Sequence, residues 1–313
     1  MSDAATLPRN DSPMFFIRGR WEPISFEEIE ACRRANPDDW QLAWLNRAPW
    51  KYRLAVQAIA RAEERYLKEW ITYHLRLGVE RIFLYDNNDK DGVDAFLKGV
   101  LSKADYDRVE VIPWHEPMDF QQREALRDCV EKHKHDVEWL LSIDVDEFLV
   151  IEKRADKFLD DFSDASEIVL SWESFNASGQ LKYEDRPVME RFTETFECRD
   201  FGQGKALFRP CRLRDWYIHG ASLTKGRIVD SLHREIVPPR SDLKVFEVAW
   251  VKHYFTKSLE EWVWKIRRGC CDSLYCRKYA QFFEANPDMM EYYDHNEQAS
   301  QKHSLGPERE AQS

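Results

Sequence analysis

Residues 139-WLLSIDVDEFLV-150 join an apolar run, Trp139–Ile143, directly to two aspartates, Asp144 and Asp146. An apolar run this short, ending in charge, predicts a strand buried on both faces, as in parallel sheets. Carboxylates placed just past such a strand are costly to bury without a compensating cation. Spaced i and i+2 on an extended chain, they would point the same way and could bridge a divalent ion to a diphosphate. A bare D-x-D is equally at home in a solvated turn after a strand, so the surrounding sequence has to decide.

Upstream the pattern is βαβ. Tyr52–Ala60 (YRLAVQAIA) reads as a strand, and Glu63–Leu77 as a helix with Leu67, Trp70, Ile71, His74 and Leu75 at helical spacing, stopped by Gly78. Arg81–Tyr85 and Val109–Pro113 read as further strands, Val93–Ser102 and Phe120–Lys134 as further helices. This alternation predicts an α/β fold: a mostly parallel, Rossmann-like sheet flanked by helices. Ligands of such sheets sit at the carboxyl ends of the strands. Two acidic loops fall there, 86-DNNDKDG-92 and 144-DVDE-147.

Past residue 160 the helical rhythm gives way to extended pieces at Ile168–Trp172, Phe192–Thr195, Lys205–Arg209, Leu213–Tyr217 and Val245–Tyr254. A Trp-rich helix follows, with Ser258 as its N-cap. We divide the chain into an N-terminal extension (1–48), a main domain (49–294) and a polar tail (295–313). The tail and the start of the extension are expected to be disordered. Within the extension, Ser25 followed by Glu28 predicts a capped helix. Tryptophans such as Trp262 and Trp264 are expected in the core, the commonest place for that residue, with an acceptor platform or a partner surface as the alternatives.

The 313 residues are 43% hydrophobic and 13% aromatic, enough for a sizeable core. A net charge of −11 argues against a nucleic-acid partner gripped through bulk basicity. No run approaches the ~18 apolar residues of a membrane span. The N-terminus lacks the basic start and apolar stretch of a signal peptide. Seven cysteines, odd in number and without C-x-x-C, suggest neither a disulfide framework nor a zinc ribbon. A cytoplasmic protein is expected. The loop after Arg81–Tyr85 partly fits a calcium-loop pattern, but Lys98 stands where a bidentate Glu is required, so that reading fails. There is no G-x-G-x-x-G, P-loop, H-E-x-x-H or G-x-S-x-G.

Several spaced motifs together resemble glycosyltransferase family 92 and related family 2-like enzymes, sugar-nucleotide transferases with the GT-A fold. They run in order from about Val56 to Gly269: 63-EERYLKEWITYHLRLGVERIFLYDNNDKDG-92, 112-IPW-114, 122-QREALRDC-129, 139-WLLSIDVDEFLV-150, 172-WESFNASG-179, 189-MERF-192, 205-KALFRP-210 and 251-VKHYFTKSLEEWVWKIRRG-269. The resemblance implies that Asp144 and Asp146 hold Mn2+ or Mg2+ on the diphosphate of a nucleotide-sugar donor, a UDP-sugar above all, with His253 completing the metal shell. Arg61, Glu63, Asp86, Asn87, Gln122, Asp144, Lys257, Lys265 and Arg268 would bind that donor. A hydroxyl of a glycan or glycoconjugate would accept the sugar, with inversion. Ala62 replaces a more usual Asn, and 219-HGAS-222 departs from a double-His pattern, so no role falls on His219.

Such a transfer must stabilise a departing nucleoside diphosphate and deprotonate an acceptor hydroxyl. Glu173 and Glu190 are the candidate bases. With His253 as a ligand, activity should fall as pH drops through about 6.5, the ordinary histidine value. Two rivals stay open. One is a metal-dependent nucleotidyl- or phosphotransferase using the same carboxylates; the other is a carbohydrate-binding relative without turnover.

Overall fold

In the computed structural model, described for residues 13–293 apart from 18–19, 48, 91, 116–119, 198–203, 218–219, 237–243 and 271–276, the βαβ rhythm holds. A hairpin, β1 (Met14–Ile17) and β2 (Arg20–Pro23), leads into α1 (Phe26–Ala35) and α2 (Trp40–Leu45). Ser25 and Glu28 make both arms of the capping box on α1. There follow β3 (Tyr52–Ala60), α3 (Glu64–Leu77), β4 (Arg81–Asp86), α4 (Val93–Val100), the one-turn α5 (Lys103–Tyr106), β5 (Val109–Pro113), α6 (Gln121–His133) and β6 (Val137–Ser142). The second half contains β7 (Glu147–Ile151), α7 (Ala155–Asp161), β8 (Ala165–Leu170), β9 (Trp172–Ser174), the one-turn α8 (Val188–Arg191), β10 (Lys205–Phe208), β11 (Leu213–Tyr217), β12 (Gly220–Leu223), β13 (Arg227–Asp230), β14 (Ala249–His253), α9 (Leu259–Arg268) and α10 (Tyr279–Ala285). The N-terminal and C-terminal segments expected to be disordered fall largely outside the described residues, as do His219, Cys198, Cys271 and Cys276.

The main sheet has the order β13-β8-β10-β6-β3-β4-β5. Only β10 runs against the others. Because β3 continues outward to β4 and β5 on one side while β6 lies on its other side, the connections diverge between β3 and β6. That divergence opens a crevice at the carboxyl ends of these two strands. The alternation within β3 explains its double burial. Leu54, Val56 and Ala58 face the core under α3 and α7, while Ala55 and Ile59 face the one under α6.

A smaller sheet, β7-β14-β9, stands beside the crevice, with His253 opposite Glu147 on one neighbour and Ser174 on the other. Trp262 is fully buried in a third cluster with Phe282 and Phe283, which assigns it to the core.

Two local expectations are corrected. The Phe192–Thr195 strand does not form, because the Phe192 N–H bonds the Val188 carbonyl and closes α8; only Thr195 makes an isolated bridge, to Phe175. The aspartates are not on extended chain either. They lie in a turn closed by the Glu147 N–H donating to the Asp144 carbonyl at 3.0 Å.

Candidate active site

The turn after β6 carries two carboxylates in unlike settings. Asp144 keeps 36% of its side-chain surface, Asp146 only 10%. Each is held by a lysine. Lys205, opening β10 and fully buried, lies 3.2 Å from Asp144 Oδ2 and 3.2 Å from Glu147 Oε2. Lys265 of α9 lies 2.5 Å from Asp146 Oδ2 and also donates to the Phe255 carbonyl at 2.7 Å. Gln122, in the first turn of α6, donates to Asp144 Oδ1 at 2.5 Å.

Burial would raise both aspartate pKa values, but the neighbouring lysines, and His253 once it is protonated in acid, win. Lys205 and His253 hold Asp144 below the usual value, and Lys265, Lys257 and His253 hold Asp146 well below it. Glu147 is different. Burial pushes it up to about 8 despite Lys205. Burial also brings Lys265 down to about 8, against the pull of Asp146.

His253, at the end of β14, places Nε2 3.9 Å from Asp146 Oδ1. Burial takes its pKa down to about 4, so the ring is neutral at ordinary pH and its lone pair is available. The ring itself thus titrates near 4 and not near the ordinary 6.5.

Around the pair lies a ring of charge built by α9. Ser258 caps that helix, with Glu261 completing the box, and Lys257 just before it adopts φ 55. The strained residue is held by its side chain: Lys257 Nζ is buried 3.9 Å over the Tyr66 ring and 3.9 Å from Glu63 Oε2, with no hydrogen-bond acceptor among the described residues. Arg268 pairs with Glu63 Oε1 at 2.5 Å and bonds the Arg61 carbonyl. Beneath, Glu261 accepts from Arg191 Nη2 at 2.5 Å and from the Tyr66 hydroxyl at 2.7 Å, fixing α9 against α3.

The loop after β4 is pinned from within. Asn87 donates to the Trp114 carbonyl at 2.7 Å and to Gln121 Oε1 at 2.6 Å, and Arg61 reaches its carbonyl at 3.3 Å. Asp86 is buried and accepts from the Asn88 N–H at 3.1 Å. The Ala62 N–H donates to Asn88 Oδ1 at 2.7 Å, so Asn88 ties this loop to the one after β3.

Neither candidate base reaches the pair. On β9, Trp172 packs on His253, so Glu173 faces the other side of the small sheet, where it accepts from Trp250 Nε1 at 3.0 Å. Glu190 is exposed on α8; the charged residue of M-E-R-F that turns inward is Arg191. Conversely, sequence reading gave no role to Lys205 or Glu147. The signal was present in KALF, where one charge opens an apolar strand that must bury it.

Among the described residues, no three His, Cys, Asp or Glu side chains are gathered closely enough to enclose a metal ion. What the site offers is open: two ionised carboxylates on one turn and a neutral imidazole beside them. Such a donor set suits a hard divalent ion that takes its remaining ligands from phosphate and water. Among the described residues, no helix is long and apolar enough to cross a membrane.

The model of glycosyltransferase family 92 matches residues 54–269. The chain belongs to that family. A family 92 protein of Oryza sativa subsp. japonica is 38% identical over 96 residues, 31% of this chain and 16% of the relative. One of Ricinus communis is 29% identical over 134 residues, 41% of this chain and 24% of the relative. One of Arabidopsis thaliana is 30% identical over 133 residues, 42% of this chain and 22% of the relative. The match therefore spans at most about a quarter of these relatives' length. Among solved structures, a mannosyltransferase of Pyrobaculum calidifontis in complex with GDP-Man and Mn2+ aligns over 46% of each chain, at 12% identity and TM-score 0.29. A 4-diphosphocytidyl-2C-methyl-D-erythritol synthase from Anaerococcus prevotii aligns over 51% of this chain and 71% of its own, at 12% identity and TM-score 0.30. Scores this low carry nothing about the family 92 site.

Proposed function

We propose that this family 92 chain transfers a sugar from a nucleotide-sugar donor, a UDP-sugar in the first instance, to a hydroxyl of a glycan or glycoconjugate, with inversion and with Mn2+ or Mg2+. The observation that carries the reading is the meeting, at the β3/β6 crevice, of an ionised carboxylate pair with the cationic end of α9. A divalent ion at Asp144, Asp146 and His253 would supply charge neutralisation for the leaving diphosphate. The chain's own residues supply the rest. Lys265 and the buried Lys257, which lies 3.9 Å from Glu63 Oε2, place positive charge beside the pair. Arg61 and the loop of Asp86 and Asn87 form the wall toward which a nucleoside would lie, with Glu63 and Arg268 bracing it. Gln122 and Lys205 keep Asp144 oriented.

This division of labour favours a departing diphosphate over the rival nucleotidyl or phosphoryl transfer, in which the nucleotide or phosphoryl group would itself be attacked. A thermal-shift panel of nucleotide sugars with and without Mn2+, followed by hydrolysis and transfer assays, tests the reading. Metal-dependent stabilisation and release of nucleoside diphosphate are expected. Stabilisation without turnover would make the chain a binding relative, and release of the sugar 1-phosphate, from attack at the nucleotide's α-phosphorus, would make it a nucleotidyltransferase.

A further inference from the structure

Phe120 breaks two local rules at once. It is the N-cap residue of α6, with φ 59 and ψ 39, and its side chain makes no cap hydrogen bond. A bulky aromatic is a rare occupant of the left-handed region, where its Cβ crowds the following carbonyl. An N-cap is ordinarily a small polar residue on extended backbone. Packing offsets neither cost. The ring is 48% exposed, and among the described residues it makes no ring–ring or cation–π contact. Strain that the surrounding packing does not reward is characteristic of ligand sites.

The residues on either side locate it. Gln121 Oε1 accepts from Asn87 Nδ2 at 2.6 Å, and Gln122 donates to Asp144 Oδ1 at 2.5 Å. Upstream, the Trp114 N–H donates to the Asp86 carbonyl at 2.8 Å, and the Trp114 carbonyl accepts from Asn87. The connection from β5 to α6 is thus tied to the Asp86 loop at both ends. The order Phe120, Gln121, Gln122 runs from that loop toward the aspartates, on the α6 face of the sheet. Glu63 and Arg268 pair on the opposite face, at the start of α3. A donor with its nucleoside at the Asp86 loop and its diphosphate at the aspartates brings its base to the Phe120 end of this turn. Every nucleobase has a π face, and an open phenyl is a surface on which one can stack.

Resting on the glycosyltransferase reading, we propose that Phe120 is the surface on which the donor's nucleobase stacks, and that the strained turn holds its ring open for that ligand. Calorimetric titration of the full chain with Mn2+ compares the tighter binder of UDP and GDP with inorganic pyrophosphate. Phe120→Ala should bind the nucleotide about tenfold more weakly and pyrophosphate as wild type does. Phe120→Trp, with a larger π face, should bind the nucleotide at least as tightly as wild type. Phe120→Gly, whose residue suits φ 59, should melt no lower than wild type without ligand, yet lose the nucleotide as the alanine variant does. Unchanged nucleotide affinity in Phe120→Ala, equal losses on both ligands, or a tryptophan variant as weak as alanine overturns the stack. A glycine variant that melts well below wild type makes the ring a packing group and overturns it too. Wild-type protein that binds pyrophosphate but gains nothing from the nucleoside overturns the stack alone; wild-type protein that binds neither overturns the functional reading together with it.

Discussion

Acid should unfold this protein through a histidine that takes no part in the proposed chemistry. His74 is fully buried in α3, its Nδ1 donating to the Trp70 carbonyl at 2.8 Å and its Nε2 accepting from the Leu149 N–H at 3.2 Å. Both nitrogens are used and only the neutral ring satisfies both partners; a proton on Nε2 would face the N–H of Leu149. Burial accordingly takes the pKa from 6.5 down to about 4. The sign follows directly. Above pH 6.5 the ring is neutral in both states and the folded protein keeps its full stability; as pH falls from 6.5 toward 4, the unfolded chain takes up a proton that the folded one refuses. The loss is about 1.4 kcal/mol per pH unit, about 3 kcal/mol across the window. Denaturant unfolding between pH 7 and 4 on wild type and His74→Gln measures it. Glutamine offers a donor and an acceptor but does not titrate, and His253, which titrates near the same pH, cancels in the difference. The variant, less stable at pH 7, should lose stability less steeply than wild type on acidification. Parallel curves would refute the reasoning. Leu149 lies on β7, directly after the aspartate turn, so the same protonation loosens the strand that carries the site.

Three further outcomes are expected. Asp146→Asn should lose transfer by more than the about 10- to 100-fold that removal of a supporting group costs. Because it also leaves Lys265 buried without its carboxylate, it should lower metal-free stability by about 3 kcal/mol, read by denaturant unfolding; full activity at limiting Mn2+ would remove Asp146 from the metal site. His253→Ala should raise the Mn2+ requirement about tenfold, equivalent to about 1.4 kcal/mol, with the acid limb of that requirement in wild type near pH 4; a metal titration curve that the substitution leaves in place would return His253 to a packing role. Gly204→Ala should destabilise by about 3 kcal/mol or more, since a Cβ there would lie 1.6 Å from the Leu170 carbonyl oxygen and 2.5 Å from its carbon, backbone atoms with no room to move; a melting temperature equal to wild type would show that β10 can shift away from β8.

The sheet was legible because its strands are buried on both faces and bounded by charge or glycine, so periodicity and turn chemistry agree at Tyr52–Ala60, Arg81–Asp86 and Val109–Pro113. The same agreement placed Ser25 and Ser258 as helix caps. The short elements after residue 160 were less legible, since β9 and α8 span 3 and 4 residues and are set by what packs on them. Phe192 looked like a strand residue because it is apolar, yet a single i→i−4 hydrogen bond from its N–H ends a helix there. Where the candidate carboxylates Glu173 and Glu190 point was hidden for a related reason. Whether Glu173 faces the pair depends on a side alternation that only the pairing of β9 with β14 settles, and Glu190 sits one residue from the arginine that turns inward.

Long-range ion pairs were the least legible part of the site, and they carry its electrostatics. Asp144 and Asp146 repel one another within one turn, in a chain of net charge −11, yet both stay ionised without any bound cation. Lys205, 61 residues on in sequence, and Lys265, 119 residues on, each neutralise one of them. No local pattern encodes either partner. Each lysine also holds a second acceptor, Glu147 Oε2 for Lys205 and the Phe255 carbonyl for Lys265. Each lysine therefore keeps a hydrogen-bond acceptor besides its aspartate. Burial separates the two lysines: Lys205 sits fully buried between Asp144 and Glu147, whereas Lys265 is brought down to about 8 and is the one whose charge costs more to hold. The two aspartates are thus unequal by construction: Asp144 is held by an amide and a fully buried lysine, and Asp146 by a lysine whose own pKa burial has brought down to about 8.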